Sequence, residues 1–159
     1  VAVGVWALIE KTRLGAIIHR DTDPTHFVTG IVAALDPGSG VIHYVNAGHP
    51  AMVLARDGAV RELDSTGVPF GILPHFPYAA ATVELAPGEL LALFSDGIPE
   101  AAHGGEFFDD ERIHRVLAPT RSDEPLDAVR GRMLSAVLEF IGDEERGDDI
   151  TLLLVRREA

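Results

Sequence analysis

The apolar positions of the 159-residue chain fall into short runs broken by Gly, Pro and Asp as far as about residue 100, and into stretches of helical spacing beyond it. In residues 1–18, Val5, Leu8, Ile9, Leu14, Ile17 and Ile18 flank Glu10 and Lys11, an imperfect helical pattern weakened by Gly4 and Gly15. The polar segment 19–25 ends that element. Residues 27–35, 41–45, 51–55 and 60–63 then read as four strands. Tight connections at Asp36-Pro37-Gly38-Ser39-Gly40, Asn46-Ala47-Gly48-His49-Pro50 and Arg56-Asp57-Gly58 join them, which predicts a β-meander. A Gly- and Pro-rich loop over 65–76 leads to the weakly alternating segment 78–85 and a turn at Ala86-Pro87-Gly88-Glu89.

Two helices follow the last of these turns and the apolar run after it. Asp109-Asp110-Glu111 opens one that runs to about Leu117, with acid at the end where the helix dipole favours it. Pro125 opens the other: Leu126, Val129, Met133, Val137, Leu138 and Ile141 recur at helical spacing, and Gly142 supplies a stop. That face reads as core rather than as a cofactor box.

Two apolar runs carry acid at their ends. The run 90–94 halts at Ser95-Asp96-Gly97, so a strand apolar on both faces delivers the Asp96 carboxylate to its C-terminal tip. Burying that carboxylate alone is costly, so it calls for a cation, a donor or water. Gly97 permits either a close backbone approach or a positive φ. Asp-Gly is equally a hairpin signal, and by itself the tripeptide also reads as a plain turn. Near the C-terminus Asp148-Asp149 heads the run 150–155, a second strand apolar enough to be buried on both faces. If the two strands are antiparallel neighbours, three carboxylates converge at one edge of a sheet. Like charges that close need something positive between them, and Mg²⁺ or Mn²⁺ takes oxygen ligands of this kind. The chemistry this suggests is metal-assisted hydrolysis of a phosphate ester.

Composition removes most alternatives. With 13 Lys plus Arg against 25 Asp plus Glu, the formal charge of -12 opposes docking on nucleic acid or anionic lipid. The absence of cysteine excludes disulfides, thiolate metal sites and cysteine nucleophiles. The single lysine, Lys11, lies outside any P-loop, and neither a Gly-x-Ser-x-Gly elbow nor a His-Glu-x-x-His pair occurs. His49 could be a ligand or base, or a residue that holds its turn. The length suits one domain, 1–159, without internal repeats. The apolar run 1–9 is too short to span a bilayer and lacks the basic start of a signal peptide. Opening on Val1 rather than Met, it reads as the interior of a longer polypeptide, entered partway through a helix.

The ordered set Phe27-Val28-Thr29, Tyr44-Val45-Asn46-Ala47-Gly48-His49, Gly67-Val68-Pro69-Phe70-Gly71, Leu93-Phe94-Ser95-Asp96-Gly97-Ile98-Pro99-Glu100-Ala101 and Asp148-Asp149-Ile150-Thr151-Leu152 closely resembles the SpoIIE/RsbU-type serine phosphatases. These belong to the PPM, or PP2C-like, metal-dependent phosphatases. The resemblance implies an α+β fold, a PP2C-like antiparallel β-sandwich flanked by helices. It also implies two Mn²⁺ or Mg²⁺ ions bridged by a water or hydroxide that attacks phosphoserine phosphorus. Asp96 matches a metal ligand of the family's Ser/Thr-Asp-Gly motif, with Gly97 beside it. Asp148 matches the ligand of the closing Asp-Asp motif, and Asp149 its neighbour. On the same grounds the substrate is expected to be a phosphorylated anti-anti-sigma factor of the STAS type, in a cytoplasmic bacterial signalling pathway with no nucleic acid and no membrane insertion.

One departure stands out: the family's Gly-Asp-Val-Ser-Gly-like motif, whose aspartate bridges both metals, does not occur in these 159 residues. The chain is therefore expected to be an N-terminally truncated, C-terminal portion of such a domain, binding metal weakly and turning over little by itself. The alternative is a non-catalytic PP2C-like binding module of an anti-sigma pathway. Loss of N-terminal strands should expose a sheet edge or apolar face and favour self-association, for example a homodimer.

Overall fold

The computed structural model describes residues 14–158, apart from Pro24 and Arg146. The expected helix over 1–18 therefore lies largely outside the described residues. Its described part is α1 (Leu14–Asp21), which runs three residues further than the polar segment suggested. The chain then contains β1 (Gly30–Leu35), β2 (Val41–Ala47), β3 (Met52–Arg56), β4 (Ala59–Leu63), β5 (Ala81–Glu84) and β6 (Leu90–Phe94). After these come β7 (Ala102–His103), β8 (Glu106–Phe107), α2 (Asp109–Leu117), α3 (Leu126–Ile141) and β9 (Leu152–Arg156). The strands pair antiparallel, so the fold is α+β.

Two compact units divide these elements. The first takes Val1–Ala51 and Asp64–Glu84, and the second Met52–Leu63 and Leu85–Ala159. In the first, β2 is the centre of a three-stranded sheet ordered β1-β2-β5. Val45, Ala47, Phe70 and Tyr78 form its buried cluster, with Leu14 and Ile18 of α1 packed against it.

The expected meander breaks after β2, because β3 does not pair with β2. The cause is local. Asn46 is fully buried, and its carbonyl accepts the N–H groups of Thr66 and Gly67 at 2.9 and 3.1 Å. The end of β2 is thereby spent on the 65–67 loop instead of a hairpin partner. Gly48 bends the chain away at φ +68°, where any Cβ would lie 2.5 Å from Pro69 Cγ. The expected strand over 27–35 is also shorter. Only Gly30–Leu35 joins the sheet, while Val28 makes an isolated bridge with Phe70.

The second unit has a four-stranded sheet ordered β4-β3-β6-β9. As the apolar run 90–94 predicts, β6 is an inner strand buried on both faces, with Leu93 the least covered of its five residues. The sheet packs on α2 and α3 through Phe94, Phe108, Ile113, Leu117, Val129, Met133 and Val137. Within the set assigned to the core face of α3, Val129, Met133, Val137 and Ile141 are buried, but Leu138 is 43% exposed. At the N-terminal end of α3, Arg132 holds Glu124 and Thr120 Oγ1, and Arg156 of β9 donates to the Glu124 carbonyl.

The reading of residues 150–155 as a strand buried on both faces is not met. Among the described residues β9 pairs only with β6, stands at the sheet edge and leaves Leu153 55% exposed. Its Leu-Leu-Leu-Val pattern looks internal because one face covers the core and the other is apolar without being covered. No helix among the described residues is long and apolar enough to cross a membrane.

Candidate metal centre

Strands β6 and β9 run antiparallel in a register that pairs Leu90 with Arg156 and Phe94 with Leu152. Continued past Phe94, the same register sets Ser95 opposite Thr151 and Gly97 opposite Asp149. The adjacency on which the sequence argument depended is thus present. The C-terminal tip of β6, with Asp96, and the segment entering β9, with Asp148 and Asp149, meet at one end of the sheet.

Ser95 is where ladder becomes turn. Its N–H still donates to the Thr151 carbonyl at 3.1 Å, as a strand residue would. Its own carbonyl has turned to accept Ile98 N–H at 3.1 Å, beginning a compact turn that Glu100 N–H to the Asp96 carbonyl (2.9 Å) continues. Thr151 N–H, which the next rung would have satisfied, donates instead to Ser95 Oγ at 2.9 Å, and that hydroxyl donates to the Asp149 carbonyl at 2.9 Å. Ile98 and Ala101 are buried under the turn and fix it to the core with Phe94 and Phe108.

Gly97 is needed for space rather than for dihedral freedom. Its φ lies outside the left-handed region, but a Cβ there would sit 2.9 Å from the carbonyl carbon of Asp149 and closer still to the oxygen. Of the two reasons considered for this glycine, close backbone approach is therefore the operative one.

The carboxylates are exposed at the rim. Asp96 Oδ1 accepts Gly97 N–H at 3.1 Å, and Asp148 Oδ1 accepts Asp149 N–H at 2.7 Å. A small cavity of about 150 Å³ opens beside Asp148, lined by Gly97, Glu100, Ala101, Ile141, Gly147, Asp148 and Ile150, with Asp96 outside its lining. Glu100 brings a carboxylate to this cavity that the sequence reading quoted only as part of a motif.

The expected convergence of three carboxylates is not met. Among the described residues no three His, Asp or Glu side chains stand close enough to hold a metal ion together. The reason is the same close approach, in which the Asp149 peptide, not its carboxylate, packs on Ser95 and Gly97.

In kind, the donors suit a hard cation. They are oxygens only, and among the described residues no ion pair engages Asp96, Glu100, Asp148 or Asp149. His49 lies in the first unit, where its N–H donates to Asn46 Oδ1 at 2.9 Å and its Nδ1 stands 3.3 Å from Thr29 Oγ1. Those bonds make it the residue that holds the turn after β2.

Comparison with known proteins agrees with this architecture. The sequence pattern of the family described as Stage II sporulation protein E (SpoIIE) matches residues 11–158. Protein IcfG of Synechocystis is 30% identical over 139 residues, 85% of this chain and 21% of that protein. Phosphoserine phosphatase RsbU of Bacillus subtilis is 23% identical over 147 residues, 91% of this chain and 43% of RsbU. The chain thus spans less than half the length of either. Among solved structures, the phosphatase domain of the B. subtilis cell-fate determinant SpoIIE, presoaked with Mn, superposes with a TM-score of 0.69 at 20% identity. That superposition covers 95% of this chain and 65% of the SpoIIE domain, and the fold is PP2C-like.

Proposed function

The chain belongs to the SpoIIE family, whose pattern it carries over residues 11–158, and from that premise we propose that it is the C-terminal portion of a single metal-dependent serine phosphatase domain. Its substrate is a phosphoserine on a regulatory protein, of the STAS anti-anti-sigma type, in bacterial cytoplasmic signalling. The observation that carries this reading is the β6–β9 pairing, which sets Asp96 and Asp148 at one end of one sheet with the Asp149 peptide against Gly97.

Asp96 and Asp148 would hold Mn²⁺ or Mg²⁺, with Gly97 and Asp149 supplying the adjoining backbone. An ion there supplies charge neutralisation of phosphoryl oxygens and a bound water of lowered pKa. The chain's own part is positional. The buried Ile98 and Ala101 hold the Asp96 turn rigid, and the tethered 149–151 segment fixes Asp148 relative to it. In a chain of formal charge -12, a phosphoryl group approaching four rim carboxylates meets repulsion unless cations are held there, so binding and turnover should both require the ion.

The 159 residues contain no Gly-Asp-Val-Ser-Gly-like sequence, and by themselves they should bind metal weakly and turn over little. The second reading, a PP2C-like binding module without catalysis, is favoured by one observation: no three metal-ligating side chains gather among the described residues. The two part on one assay. The full-length polypeptide, given a phosphoserine-bearing STAS protein, should release phosphate only with Mn²⁺ or Mg²⁺, and Asp96→Asn should abolish the release. Undiminished release by Asp96→Asn would remove Asp96 from the mechanism. No release by the wild type, with tight binding of the STAS protein, would establish the binding module.

A further inference from the structure

We propose that Ser95 is a positioning residue for the metal centre: its hydroxyl is the rung that sets the offset between the Asp96 turn and the Asp148-Asp149 segment. The inference rests on the phosphatase reading and adds to it a residue whose hydroxyl is engaged by the backbone of the 149–151 segment.

Where β6 ends, one backbone hydrogen bond of the ladder is lost. An antiparallel hydrogen-bonded pair exchanges two bonds, N–H to carbonyl in each direction. The Ser95–Thr151 pair keeps one, Ser95 N–H to the Thr151 carbonyl at 3.1 Å, and loses the other because the Ser95 carbonyl turns to Ile98 N–H. That turn cannot be avoided, since it is what brings Asp96 to the rim. Without a substitute, the segment entering β9 would be released one residue before the carboxylates it carries.

Ser95 Oγ supplies the substitute twice, accepting Thr151 N–H and donating to the Asp149 carbonyl, both at 2.9 Å. One hydroxyl thus clamps the residues on either side of Ile150 and presses the Asp149 peptide against Gly97, where no Cβ fits. Both roles need a group that donates and accepts at once, which Ser and Thr have and Ala lacks. Groups that orient metal ligands commonly change metal affinity about 10–100-fold when removed.

The test is a set of Ser95 variants in the full-length polypeptide, read by Mn²⁺ titration calorimetry, amide exchange at Thr151 without metal, thermal melting, and phosphate release. S95A should weaken Mn²⁺ binding about tenfold or more and speed Thr151 exchange. Its phosphate release should be low at limiting Mn²⁺ and recover at saturating Mn²⁺. S95T should stay within about twofold of wild type in affinity, since it keeps the hydroxyl. If S95A melts below the assay temperature, S95C, which keeps the volume but hydrogen-bonds weakly, takes its place. Wild-type Mn²⁺ affinity in S95A or S95C would overturn the proposal and leave the phosphatase reading intact. Failure of the wild type itself to bind Mn²⁺ would instead sink the phosphatase reading, and this inference with it.

Discussion

At the scale of single residues, the site depends on what cannot be added as much as on what is present. Gly97→Ala places a methyl group within 3 Å of the Asp149 carbonyl carbon, against backbone that cannot rotate aside as a side chain would. We expect a loss of about 1–3 kcal/mol in chemical denaturation, the usual cost of overpacking, together with weakened Mn²⁺ binding. The sequence left the reason for Gly97 open, because Asp-Gly serves turns and close approaches alike. Only the register, which brings Asp149 opposite, decides between them. Ser95 was harder still to read. A hydroxyl before an aspartate carries no signal until its partners, 54 and 56 residues away, are known.

At the scale of elements, α3 gives the clearest contrast between spacing and packing. Met133 is fully buried in the second unit's core, and Met133→Ala should cost about 2–5 kcal/mol in denaturant unfolding. Leu138 shares the helical repeat but is 43% exposed, and Leu138→Ala should stay within about 0.5 kcal/mol. A large loss there would mean that the surface of α3 is covered in solution.

Strand β6 was legible to the residue from an apolar run stopped by Ser-Asp-Gly, and helix α2 was legible from its acidic opening with its end placed at about Leu117. Pairing was not legible where partners are distant in sequence. The tight connection Asn46-Ala47-Gly48-His49-Pro50 suggested a meander turn, yet the Asn46 carbonyl is committed to Thr66 and Gly67. The two-residue strands β7 and β8 carry too few positions for any periodicity to show. The edge position of β9 was hidden by its four consecutive apolar residues.

At the scale of the whole molecule, acidity acts in two ways. The excess of carboxylates calls for cations at any phosphate site, and it also shapes stability against pH. Glu124 is held below the usual glutamate range by its hydrogen bond from Arg132, against the opposing effect of its burial. A carboxyl lowered in the folded state contributes stability that is complete above its unfolded value, here the ordinary 4.5, and is lost as pH falls through the folded value. Glu124→Gln should therefore lower stability by about 1.5–3 kcal/mol at pH 7, the range for hydrogen bonds to charged groups. In paired melts the gap between mutant and wild type should close as the pH drops below 4.5. A gap that persists at pH 3 would mean that the Arg132 contact, not the charge, is what matters.

We propose that Asp96 and Asp148, carried by neighbouring strands, serve one metal centre. The most direct test is Mn²⁺ titration calorimetry of the full-length polypeptide against its Asp96→Asn and Asp148→Asn variants, each checked for a wild-type melting profile. We predict that either substitution alone abolishes or sharply weakens Mn²⁺ binding while the fold persists. Wild-type affinity in both variants would mean that the two carboxylates hold no common ion.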